Sequence, residues 1–138
     1  MRNPWKKVSS LKEAEELSGV VFPGIDSGYI PAGMKESGIF CMNGLIEIRY
    51  TRKDDLLILR RSILQIENIS GDYNHYPSSY LLPAGDFSIK CRGTKELINT
   101  AEFHPFGAYC SISCNPGKPG KGLPPAHILS IAEGMSKL

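Results

Sequence analysis

The sequence predicts an α+β domain of two layers, a curved antiparallel meander sheet of about seven strands with an N-terminal and a C-terminal helix. Three observations lead there. Tight-turn signals, Asn43-Gly44 foremost, separate short alternating apolar runs. Segments near each end repeat apolar residues at helical spacing. Short connections favour sequence neighbours lying side by side. At 138 residues, 41% hydrophobic and 22% charged, the chain suits a single domain spanning 1–138 with its own core.

Taken in order, Ser10-Leu11-Lys12-Glu13 fits a capping box, with Ser10 as N-cap. Leu11, Ala14 and Leu17 make an apolar stripe, and Gly19 stops the helix. Trp5, just ahead, is expected to anchor the N-terminus against the same core. Residues 22–33, rich in glycine and proline, read as a surface loop.

The meander over residues 35–62 is the clearest part. A type I′ turn at Asn43-Gly44 sets Cys41 opposite Ile46 and Ile39 opposite Ile48. A four-residue reversal at 52–55 sets Tyr50 opposite Leu57 and Ile48 opposite Leu59. The other face then pairs Glu47 with Arg60, turns Arg49 outward and keeps charge off the core.

Residues 63–76 break the alternation, and Ser70-Gly71-Asp72-Tyr73-Asn74 reads as a polar turn. A second hairpin about Ala84-Gly85 places Leu82 across from Phe87 and Tyr80 across from Ile89. A third about residues 104–107 places Ala101 across from Cys110 and Leu97 across from Cys114. Residues 115–122 form a Pro/Gly/Lys connector. Pro124-Pro125 opens a helix with Ile128, Ile131, Ala132 and Met135 on its inner side. No internal repeat is present.

Composition excludes more than it selects. A net charge of +2 does not point to nucleic acid. No apolar run approaches the roughly 20 residues of a membrane-crossing helix, so no transmembrane segment is expected. No apolar core follows the basic N-terminus, so no export signal is read. A native start at Met1 implies the cytoplasm, whereas a trimmed leader implies export. Cys110 and Cys114 alternate onto one strand face, about 13 Å apart, too far to bridge. All four cysteines are expected buried and free, and Cys91, Cys110 and Cys114 with His104 and His127 give a weak zinc signal. Neither a metal nor a cofactor is expected, and no spacing argues for a cysteine–histidine nucleophile. Gly117-Lys118-Pro119-Gly120-Lys121-Gly122 lacks the spacing of a phosphate loop, and Pro119 removes a donor.

Asp72, Tyr73, Asn74 and His75 form the densest polar group. They read as a ligand or acid–base site, or as an Asx turn with Tyr73 packed on the sheet. Arg49, Lys90 and Arg92, with Arg60 partly offset by Glu47, could make a basic patch for an anion or lipid headgroup. Phe40, Met42, Leu45 and Ile58 fall on that same outer face, more apolar surface than a solvated sheet carries. The first expectation is therefore a non-enzymatic binding or protein-interaction module using that sheet face. The alternative is a small hydrolase or transferase using His75 with Asp72 or Tyr73. Oligomeric state is left open.

Asn3-Pro4-Trp5, residues 10–15, Ile46-Glu47-Ile48-Arg49-Tyr50 and Ile69-Ser70-Gly71-Asp72-Tyr73-Asn74 together resemble a bacterial domain of unknown function. That domain occurs in secreted lipoproteins and C-terminal to anti-sigma-factor-like segments. The resemblance implies an extracytoplasmic α+β module with no established activity, and carries over no catalytic residue.

Overall fold

The computed structural model describes residues 4–137. Eight strands form a single antiparallel sheet: β1 Lys6–Val8, β2 Lys35–Met42, β3 Leu45–Arg52, β4 Asp55–Ser62, β5 Ser78–Ala84, β6 Phe87–Gly93, β7 Ile98–Phe103 and β8 Tyr109–Cys114. Their spatial order is β1-β2-β3-β4-β8-β7-β6-β5. Helices α1 (Leu11–Ser18) and α2 (Pro125–Ser136) and a 3-10 turn at Ser27–Tyr29 complete the domain. The α+β class and the antiparallel sheet agree with the sequence. The short β1 was not foreseen.

The meander has the expected register throughout, with Ile39 on Ile48, Ile48 on Leu59, Tyr50 on Leu57 and Glu47 on Arg60. Its first turn is not type I′, because Gly44 alone is left-handed (φ 83°) and Asn43 keeps a negative φ. At the next turn Lys53 takes the positive φ, at 54°. One cross-strand row, Val8–Ile39–Ile48–Leu59–Ile112–Ala101–Cys91–Tyr80, crosses the whole sheet and forms the centre of the core.

Two hairpins differ from expectation by two residues. Leu82 faces Ile89 and Tyr80 faces Cys91, because the strands run on to Ala84–Phe87 and close through Gly85-Asp86. Ala101 faces Ile112 rather than Cys110. There, His104 stacks on Tyr109 at 4.0 Å, and its Nδ1 contacts the Ala108 carbonyl, which holds the loop wide. Leu97 does not reach Cys114, and Ile98 pairs instead with Leu123.

The helices follow local rules. Ser10 Oγ accepts from Glu13 N at 3.1 Å, and Gly19 caps the other end at φ 78°. Glu13 reaches back to Ser9 rather than to Ser10. Ala14 and Ser18 are the buried pair of α1, and Leu17 is exposed, so the inner stripe is 14/18 rather than 14/17. α2 buries Ile128, Ile131, Ala132 and Met135 as expected. The 22–33 loop is packed, not superficial: Phe22 is fully buried, and Ile25 sits where a Cβ on Gly134 would fall.

The second face of the sheet carries a charged row, Lys7–Phe40–Glu47–Arg60–Ser111–Glu102–Lys90–Leu81. Contrary to expectation, this face buries charge: Glu47 is 0% exposed. Its Oε1 accepts from Arg60 Nε at 2.8 Å and its Oε2 from Arg49 Nε at 2.6 Å. Trp5 lies on this face too, 5.0 Å from the Arg60 guanidinium, and not against the helix-covered core. Glu47→Ala strands both guanidiniums, one of them largely buried. It is expected to cost about 3 kcal/mol in urea unfolding.

Candidate functional site

The segment between β4 and β5 lies over the middle of the charged face and makes it a second interior. Arg60 Nη1 donates to the Ile69 carbonyl at 2.9 Å, and Arg92 Nη2 to the Asp72 carbonyl at 2.8 Å. Asp72 is the hub. Its Oδ2 accepts from Tyr76 and Thr100 hydroxyls at 2.5 Å each, and its Oδ1 from Asn74 N at 2.9 Å and Asn74 Nδ2 at 2.7 Å. The Asx turn at 72–74 is thus as expected, but Tyr76 and not Tyr73 folds inward, and Tyr73 stands out in solvent. Gly117 N donates to Tyr76 Oη at 2.7 Å, tying the 115–122 connector to the same hub. That connector is held further by Asn99, whose Nδ2 donates to the Cys114, Asn115 and Lys118 carbonyls.

This geometry decides where each residue singled out from the sequence belongs. His75 is exposed, and both Asp72 oxygens are engaged elsewhere, so the two do not form an acid–base pair. Leu45 is buried and therefore no contact residue; the chain beyond β4 folds back there, bringing Leu64 against Gly44. Phe40, Met42 and Ile58 are half-buried, Phe40 beneath the Arg49 guanidinium at 4.3 Å. The basic patch dissolves as well. Arg49 and Arg60 share Glu47, Arg92 serves loop carbonyls, and of that set Lys90 alone has no such partner among the described residues.

What remains open is a groove of about 470 Å³ beside the covered region. Ile66 and Asn68 form one wall, Lys90 and Glu102 the floor, and His104 and Tyr109 the far side. The strand directions put the turns at 43–44, 63–66, 85–86 and 104–107 at one end of the sheet, with the groove opening there. Gly44 N donates to Ser18 O at 2.8 Å, which brings the last turn of α1 to the same end. Leu17, Ile63, Leu64, Ile66 and Phe106, all at this end, are each exposed. None was singled out from the sequence as a contact residue, Leu17 being read there as part of the helix stripe. The signals present were the apolar run Ile63-Leu64-Gln65-Ile66 past a strand end and a phenylalanine in the turn Pro105-Phe106-Gly107.

Sulfur chemistry finds no opening here. All four cysteines are free and buried. Burial pushes the Cys91 and Cys114 thiols up to about 11 and the Cys110 thiol to about 12, despite the Arg61 guanidinium beside the last. Among the described residues no cluster of three or more histidine, cysteine or acidic side chains could hold a metal ion. Nor is any described helix long and apolar enough to cross a membrane. No protein-family model matches the chain, and no curated protein or solved structure matches it either.

A thiol reagent at about pH 8 is expected to label none of the four cysteines in the folded protein and all of them after denaturation. Rapid labelling of the native state would contradict the burial described. For Asp72, burial raises the carboxyl pKa, but the bonds from Thr100, Tyr76 and Asn74 outweigh it, and the net value is lowered. Its stabilising contribution is present above the unfolded-state value near 4 and is lost as pH falls through the folded one. Melting temperature followed from about pH 6 to pH 2.5 should therefore fall less steeply in Asp72→Asn than in the wild type.

Proposed function

We propose that this chain is a non-catalytic interaction module that binds another protein through the apolar end of its sheet. One observation carries the reading. Ile63 and Leu64 are half exposed and Phe106 fully so, all in connections at one end of the sheet, where Leu17 and Ile66 are exposed as well. A monomeric surface does not usually gather its large apolar side chains in this way.

The segment is held in place. Ser62 Oγ accepts from Leu64 N and donates to Leu64 O, both at 2.9 Å, and Ile63 N donates to Gly44 O at 3.1 Å. A pre-shaped apolar surface loses little conformational entropy on binding. Lys90, Glu102 and His104 line the adjoining groove and supply a polar rim. The proposed contact lies at the end of the sheet and not on the sheet-face set Phe40, Met42 and Ile58, which are half-buried. The hydrolase or transferase reading draws no support from an exposed His75.

The test uses the intact chain as bait in its native host. Ile63→Ser/Leu64→Ser/Phe106→Ser should lose a stoichiometric partner, with affinity reduced roughly tenfold or more. Its melting temperature should stay within a few degrees of wild type, since these side chains are exposed. Retention of the same partner at undiminished affinity would sink the proposal.

A further inference from the structure

We propose that β5 is a self-pairing edge through which two copies of the chain join their sheets. The sheet ends in β1 on one side and β5 on the other. β1 is three residues long and carries Lys6 and Lys7, which are ordinary guards against edge pairing. β5 runs for seven residues, Ser78–Ala84, with no charged side chain, and its central Leu81 is 67% exposed. Its one guard is Pro83.

The position of that proline reveals which backbone groups are free. β5 and β6 close through the two residues Gly85 and Asp86, with Ala84 opposite Phe87. Such a connection closes on a hydrogen-bonded pair, and the pairs alternate from there. Leu82 and Tyr80 therefore bond to β6, while Ser79, Leu81 and Pro83 direct their backbone groups away from the sheet. Pro83 lacks its N–H on the open side, where a proline is tolerated in an edge strand.

An antiparallel copy centred on Leu81 fits this pattern. Leu81 of each chain exchanges both bonds with its counterpart, and each Ser79 N–H reaches the Pro83 carbonyl of the second copy. The donors missing from the ladder are the prolines' own. Leu81 then meets Leu81 on the outer face. On the core side Tyr80 meets Leu82 of the second copy, both partly buried against the core already. This symmetric register sets apolar on apolar on both faces, which is why the occupant is a second copy and not an arbitrary extended peptide.

Sedimentation and light scattering on the full chain test it. A concentration-dependent dimer is expected, weakened at least about tenfold by Leu81→Lys, which sets like charges against each other across the two-fold axis. Circular dichroism should show that this variant keeps its fold. Pro83→Thr supplies the missing donors and should tighten the dimer by roughly tenfold. Leu81→Cys should give a reducible dimer under mild oxidation, since directly opposed positions lie within bridging distance, whereas Tyr73→Cys should not. The native cysteines are buried and do not interfere. A wild type that stays monomeric up to about 1 mM overturns the proposal, as does a dimer unaffected by Leu81→Lys. Neither result touches the apolar end, whose partner binding is read separately with the serine variants.

Discussion

The structure depends on a carboxylate buried in the sheet. Removing Glu47 from water is unfavourable, and attraction to a cation offsets that only when the hydrogen bonds are well made. Here both oxygens receive a charge-assisted bond, one from Arg49 and one from Arg60. Those arginines then fix three further parts of the chain. Arg49 lies over Phe40 of β2, Arg60 faces Trp5 ahead of β1, and Arg60 also donates to Ile69 in the covering segment. A slip of two residues between β3 and β4 would oppose Glu47 to Ile58 or Ser62 and leave it buried with no cation directly across. The interaction thus selects one register more than it adds net stability.

Its second effect is to remove chemistry from the face where chemistry looked plausible. A segment without regular structure can lie over a sheet only if its backbone groups find partners. Arg60 and Arg92 supply donors to the Ile69 and Asp72 carbonyls, and the Asp72 side chain collects hydroxyl and amide donors around it. Cations that could have bound an external anion, and a carboxylate that could have acted as a base, are engaged inside the protein. Thr100, Ser111 and Ser113 end up buried on what alternation alone marks as a solvent face. Ser111 Oγ has no hydrogen-bond partner there.

How much of this was legible depends on the range of the interaction. Turn residues and alternation act locally, and they gave the 35–62 meander its register down to the Glu47–Arg60 pair. Where loop length was misjudged, as at Gly85-Asp86 and 104–109, the error was two residues, so each side chain still fell on its correct face. Lys6–Val8 escaped notice because three residues cannot show a period, and its pairing depends on β2, some thirty residues away. The cover at 68–76 was beyond reach for a similar reason. Its polar residues satisfy local turn chemistry and long-range bonding to Thr100 and Arg92 equally well, and composition does not separate the two. The half-exposed Ile63 and Leu64 read as ordinary hydrophobic sequence until the fold places nothing over them.

The covered face and the bare end are two sides of one constraint. With α1, α2 and the 20–34 segment on the core face and 68–76 over the middle of the other, both broad surfaces of the sheet carry a layer of the chain. Side chains at the turns lie beyond both layers. At the Lys53 end the connections are polar and bonded into the Asn115 and Asp55 network. At the Gly44 end they are apolar, yet equally fixed, through Ser18, Ser62 and the His104–Tyr109 stack. Loops held this firmly need no rigid apolar tips for their own stability, and Ile63 and Leu64 stay half exposed and Phe106 fully so. The hydrophobic effect gives such side chains a stabilising role only once another surface removes them from water. The proposed contact therefore lies at the end of the sheet rather than on its face.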